Sequence, residues 1–432
     1  MTDYKIGQAQ IRKLIIKSNI NNGTNQNISN LATKLFFYED IFANHMTSEI
    51  EILDGTSLLT TLPIVGGEVV EMDVGELGAE NKEIRKLKTD FVTFKMASRQ
   101  RPKPDLEFYV LSLATAEQLI DSSITIDRSY TKEIHNIIKD VVNEFLTPIS
   151  GKKLISFEET KGIHDIIATG ITPMAFIKQL VREAESSDNP SSLYMFYETV
   201  EGYHFETLDG LYSKDIQHKF IYDEITKSSA TPGASDLLQI NIAYLNVDNS
   251  FNLLDGQIDG QFASEVYSFD PLTKSFITRS YSYTEFEQNK NSNRTIGNAI
   301  MQKYMANPTT SRFIVTNSHR TDVQYVTQNE DRTQNIFRRR QDFMALERAT
   351  LRQYGSMRLH ASVPGNSNVI AGQTIELIIP SPDDTVEGKV KNDRFITGKY
   401  IVTAVAHNIN VATGEYATVM ECMRPGYQSR IT

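Results

Sequence analysis

The segment that most constrains this chain lies near its C-terminus, GKYIVTAVAHNINVATGEYATVMECM, from Gly398 to Met423. Tyr400–Ile409 and Tyr416–Met423 are rich in β-branched and aromatic residues, and Asn410–Glu415 between them carries the turn formers Asn and Gly. The pattern predicts an antiparallel hairpin. Side chains of a strand alternate between two faces. Strict alternation sets Tyr400, Val402, Ala404 and Ala406 on one face and Ile401, Thr403, Val405, His407 and Ile409 on the other. Neither face is polar enough to meet water, and a strand covered on both sides reads as a nearly continuous apolar run. The expectation is a small barrel strand with a filled interior and a neighbour outside. The candidate interface residues are Ile401, Val402 and Val405 on the first strand and Val419 on the second. A lone histidine in such a run reads as a hydrogen-bonded structural side chain, so His407 is expected in the wall and not in a reaction.

The chain has 432 residues, which is room for two to four domains, because single hydrophobic cores stop growing well below that length. A formal net charge of -10 argues against a protein whose main work is neutralising phosphates. Cys422 is the single cysteine, so no intramolecular disulfide can form and the fold must stand on packing. No apolar run reaches membrane-spanning length, and MTDYKIGQAQ lacks the features of a signal peptide. A soluble chain made in a cytoplasm, without membrane insertion, is expected.

Six short alternating or apolar segments fill the first 115 residues: KLIIK (13–17), KLFFYEDIF (34–42), SEIEILD (48–54), EVVEMDV (68–74), DFVTFKMAS (90–98) and LEFYVLSLA (106–114). Their spacing predicts an antiparallel barrel or sandwich over 1–118. The texture then changes. Ile134, Ile137, Ile138, Val141, Val142 and Phe145 recur at helical spacing. A second helix follows at 173–184, with Thr172 as cap, Pro173 in its first position and a stripe of Phe176, Ile177, Leu180, Val181 and Ala184. SLYMFYETVEGYHFETLDGL then reads as a hairpin turning at Glu201–Gly202. Together these predict an α/β insert over 119–235.

Strand texture returns at 237–247, 264–283, 311–318 and 356–380, with helical stretches at 295–305 and 335–354. A second β module is expected, split between 236–285 and 355–432, with a polar, partly helical insertion at 286–354. The fold class is therefore α+β and β-rich: two small antiparallel β-barrel modules with inserted α/β segments.

Signals for chemistry are few. Arg338, Arg339, Arg340, Arg348 and Arg352 share a helix with Asp342 and Glu347 and read as a solvated or salt-bridged face. Glu158 and Glu159 are adjacent, so on a strand they face apart and cannot flank one bond; both read as solvated loop. No two of the eight histidines fall at ligand spacing, and there is no Cys pair, G-x-S-x-G or phosphate-binding loop. Gly66–Gly67 reads as a turn. No catalytic residue, cofactor or metal is expected.

The order of parts carries more. A β module of about 110 residues, then PMAFIKQLVREA and SLYMFYETVEGYHFETLDGL, then a split second module resembles the central hub proteins of contractile-tail phage baseplates, which are related to the hub half of type VI secretion spike proteins. SEVYSFDPLTKSF (264–276) is similar to that family's barrel strand with a D-x-x-T-K turn, and IAGQTIELIIP…FITGKYIVTAVAHNI…GEYATVMECM is similar to its final three barrel strands. The resemblance implies a structural, non-enzymatic homotrimer in the virion tail, assembled in the host cytoplasm. Its two modules are each similar to a tail-tube subunit, so the ring adapts a sixfold tube to a threefold spike and encloses a channel for DNA. Implied partners are the central spike and tail tube proteins, with tape-measure and baseplate wedge proteins beside them. Two other readings stay open: a host-surface or glycan-binding tail protein, against which the lack of Trp argues, and a hub fused to a cell-wall hydrolase.

Overall fold

A computed structural model describes residues 7–18, 25–76, 87–189, 191, 193–222, 241–249, 252–270, 274–282, 312–316, 340–381 and 392–426. The helical stretch expected at 295–305, together with Arg338 and Arg339, lies outside these residues.

The six expected N-terminal strands are present and one short strand joins them. They are β1 (Ala9–Lys17), β2 (Asn25–Asn27), β3 (Ala32–Asp40), β4 (Thr47–Asp54), β5 (Val69–Glu76), β6 (Leu87–Lys103) and β7 (Leu106–Ala114). Their order in the sheet is β3-β4-β7-β6-β5-β1-β2. The sheet curls on itself. Phe37 of β3 and Phe91 of β6 have ring centroids 6.0 Å apart although β4 and β7 lie between them. Across a flat sheet those strands would be about 14 Å apart, at roughly 4.8 Å per step. Inward residues Leu14, Leu35, Phe37, Ile50, Val70, Phe91 and Leu111 share one core.

The insert follows with β8 (Ile126–Lys132), β9 (Leu154–Phe157), β10 (His164–Ile171), β11 (Tyr194–Glu198) and β12 (Tyr203–Thr207), and with helices α1 (Ile134–Val141), α2 (Pro173–Glu183) and α3 (Leu208–Ser213). α2 starts as its sequence requires: the Thr172 hydroxyl accepts from Ala175 N, and Pro173 occupies the first turn, where its missing N–H costs nothing. Phe176, Ile177 and Leu180 are buried with Ile134, Ile137 and Ile138 of α1 and with Tyr194, Phe196, Tyr203 and Phe205 of the aromatic hairpin. The expected α1 helix ends early, because the chain widens into a π turn at Val142–Leu146.

The remaining strands are β13 (His218–Ile221), β14 (Tyr244–Asn249), β15 (Ala263–Asp270), β16 (Ser275–Ser282), β17 (Arg312–Thr316), β18 (Met357–Pro364), β19 (Thr374–Ile378), β20 (Gly398–Asn410) and β21 (Tyr416–Arg424), with helix α4 (Arg340–Gly355) before β18. Pairing runs β13-β19-β20-β21-β18-β14. It returns to β13 through a bridge between Ile221 and Asn241 and a bond from Ile242 N to Ile221 O of 2.9 Å. This ring encloses a second core of Phe220, Leu359, Leu377, Tyr400, Val402, Val405, Met420 and Cys422.

Two expectations about this half differ from the pairing. β13 is upstream of residue 236 yet belongs to the second ring. β15 and β16, expected in the second barrel, instead form a separate sheet of order β16-β15-β17 that draws β17 from the 286–354 stretch. Strand texture announces a strand and not its partner, which is settled by contacts distant in sequence.

Candidate functional site

The hairpin β20–β21 serves both barrels. The first residues of β20, Gly398 to Ile401, pair with β19, while Ala404 to Asn410 pair with β3 of the first module. At its far end Gln8 bridges Glu415, Ala9 N donates to Gly414 O at 2.8 Å, and Tyr416 N donates to Gly7 O at 2.8 Å. The hairpin tip thus joins β1 to β3 and closes the first ring, with Ile409 and Tyr416 in its core. The two modules are one continuous sheet.

The changeover is a β-bulge. Register against β21 slips between Val402 and Ala404, so Thr403 is the extra residue, and Ile41 N of the first module donates to its carbonyl at 2.9 Å. One extra residue resets the alternation. Val402 and Val405 therefore do not lie on opposite faces: both are buried in the second core, at 0% and 1% exposure. Ile401, also at 0%, faces a third cluster with Ile41, Tyr197, Leu208, Leu211 and Tyr354, between the barrels and the insert. The second covering layer comes from this chain's own insert. Of the four candidate interface residues, Val419 alone is left half-buried on the outward face. His407 is buried, with Nδ1 2.8 Å from the Tyr416 hydroxyl and 3.4 Å from that of Thr418.

Buried carboxylates hold the modules together. Glu39, at the end of β3, accepts Val200 N of the insert at 3.1 Å and Ala371 N of the second module at 3.2 Å, one oxygen for each. Glu198, at the end of β11, accepts Met46 N of the first module at 3.0 Å and the Thr115 hydroxyl at 3.1 Å. It also takes Lys152 Nζ at 2.5 Å, and His45 Nδ1 lies 3.3 Å away. Glu76 of β5 accepts Ser367 N at 3.0 Å, and Asp209 of α3 accepts the Tyr354 hydroxyl of α4 at 2.8 Å. Hydrogen bonds to an ionised acceptor are stronger than neutral ones, and losing one partner in a buried site leaves the other desolvated. Burial works to raise the Glu198 carboxyl, but the His45 bond and the Lys152 charge outweigh it and hold it below the ordinary range.

The sequence reading missed these joints, although a signal existed. Leu35, Phe37 and Glu39 alternate onto one face of an apolar strand, and Glu198 ends the run Tyr-Met-Phe-Tyr-Glu. Glu158, expected in solvated loop, ties the insert internally by accepting Thr207 N at 3.0 Å, the Thr207 hydroxyl at 2.6 Å and Asn189 Nδ2 at 2.8 Å. Arg352 sits on an exposed helix face and pairs with Asp259 at 2.6 Å. A polar cavity of about 470 Å³ lies between the aromatic hairpin and the second module, lined by Tyr197, His204, Lys214, His218 and Gln373. Burial pulls the His218 imidazole below its ordinary value. Among the described residues no three His, Cys, Asp or Glu are grouped to hold a metal ion, and no helix is long and apolar enough to cross a membrane.

Comparison of the fold with solved structures gives full-length likenesses, among them two tail proteins. One is a tail protein from Neisseria meningitidis MC58, at 11% identity and TM-score 0.53, covering 96% of this chain and 97% of that one. The other is the 43 kDa tail protein of prophage MuSo2 from Shewanella oneidensis, at 11% identity and TM-score 0.54, covering 96% and 98%. The fold is that of phage tail proteins. A weaker likeness, at TM-score 0.42 and 10% identity over 98% of this chain and 80% of the other, is to an E. coli component of the type VI secretion system. No protein-family model matches the sequence, and no curated protein matches it.

Proposed function

We propose that the chain is the central hub of a contractile-tail baseplate, a homotrimer that fits the sixfold tail tube on one side and the threefold spike on the other. The supporting observation is the β20–β3 pairing, which sets two barrel cores side by side in one sheet within one chain. Three such chains carry six modules about a threefold axis, and a heterologous ring closes when rotation and copy number agree. Tape-measure and wedge proteins are further neighbours in this reading, and DNA crosses the lumen without sticking, which suits a chain of net charge -10. The role is structural and not enzymatic. Val419, half-buried on the outward sheet face, is the candidate interface residue whose side chain a neighbour can reach.

The test is co-expression with the tail tube and spike proteins, followed by native mass measurement and electron microscopy of particles. The expected result is a mass of three chains and threefold class averages with six lobes. A chain that stays monomeric with both partners present, yet binds surface glycans, would move the assignment to the host-binding reading.

A further inference from the structure

The first module and the insert grip each other reciprocally at one corner. Glu39 of the first module takes the backbone N–H of Val200 in the β11–β12 turn, and Glu198 of the insert takes the backbone N–H of Met46 in the β3–β4 connection. Val200 itself packs against the first module's core, so the turn is seated by apolar contact as well. The Glu198 side chain is 0% exposed, and its two nitrogen-bearing side-chain neighbours come from different bodies: His45 from the first module, 10% exposed, and Lys152 from the insert, 12% exposed. Glu198 lies between the two.

We infer that this corner is an acid-released clasp: proton uptake by Glu198 opens the joint between the first β module and the insert while each stays folded. The chemistry follows from the positions. With Glu198 ionised, one anion is shared by the Lys152 ammonium, the Met46 N–H, the Thr115 hydroxyl and the His45 ring. Once it is neutral, the Lys152 ammonium is left in a buried gap without its counter-charge, and the bonds from Met46 N and the Thr115 hydroxyl lose their ionic acceptor. The other titratable groups at this corner are Glu39, Tyr203, and the pair of Glu117 and Asp121; Glu117 binds the Ser150 hydroxyl two residues from Lys152. Tyr203 feels the charge of Glu198 and of the Glu117 and Asp121 carboxylates. The sign is fixed by the direction of the Glu198 shift. A carboxyl held low contributes stability above its unfolded value and loses it as pH falls through the folded one. The two faces of the joint have cores of their own, so opening it need not melt either.

The chain has no Trp, so Phe42→Trp, at a 44% exposed position in the β3–β4 connection, makes a single emission reporter beside the clasp. The full chain carrying it is titrated from pH 7 downward while emission and far-ultraviolet circular dichroism are recorded together. The expected result is an emission shift that precedes the loss of circular dichroism. Adding Lys152→Met removes one cation from Glu198, and the midpoint moves up by about 1 pH unit. Glu198→Gln abolishes the separate emission transition. Emission and circular dichroism that change together in every protein, or a midpoint that Lys152→Met leaves in place, overturn the proposal. The Lys152→Met arm decides the matter even where Glu198→Gln does not fold.

Discussion

Replacing Val402 and Val405 singly by Lys tests the bulge at Thr403. Both valines are essentially inaccessible and share the second core with Tyr400, Met420 and Cys422. Each substitution removes about 1.5–3 kcal/mol of buried apolar surface. Each also places an ammonium among the apolar side chains of that core, at an effective cost of several kcal/mol more. The sum, above about 5 kcal/mol, is comparable to the whole stability of an ordinary domain. Both variants are therefore expected to lose the second module, seen as insoluble expression or a melting transition lowered by more than about 10 °C. Val419→Lys is the control on the outward face of β21, where surface substitutions stay within about 0.5 kcal/mol; it should melt like the parent and weaken assembly alone. Calorimetry and light scattering on the three proteins separate these outcomes. If Val405→Lys folded normally while Val402→Lys did not, the alternation would be unbroken and the bulge would be wrong.

A chain ending at Thr397 lacks both strands of the shared hairpin, so the first module should lose its core along with the second; proteolysis that left an intact fragment of residues 1–118 would contradict the shared closure. Leu180→Asp buries a carboxylate among the aromatic rings of the insert at a cost of several kcal/mol, and a variant melting like the parent would remove α2 from that core. The Cys422 thiol is fully buried and pushed up by burial, so at pH 8 it should resist thiol reagents until denaturant is added; rapid native labelling would show the second core to be open.

How much of this was legible beforehand follows from where each signal resides. The six N-terminal strands, the capped α2 helix, the aromatic hairpin and the place of His407 in the wall of the sheet are local matters of alternation, spacing and turn chemistry, and they were readable residue by residue. The two-faced hairpin was readable as a feature and misread in its cause. Strict alternation put Val402 and Val405 apart, because a bulge leaves no mark in a run where every residue is apolar or small. The reading of β15 and β16 as barrel strands failed for a related reason: an alternating segment offers its edges to any partner.

The local pattern of the sequence thus determined the elements and which residues must leave water. The tertiary structure alone decided that one hairpin completes two barrels, that the insert covers Ile401, and that Glu39 and Glu198 clasp segments some 160 and 150 residues away. Hydrophobic burial has no direction and fixes that a face is covered, not by what. The partner is chosen by the match of hydrogen-bond edges and shapes that meet only once the whole chain is in place.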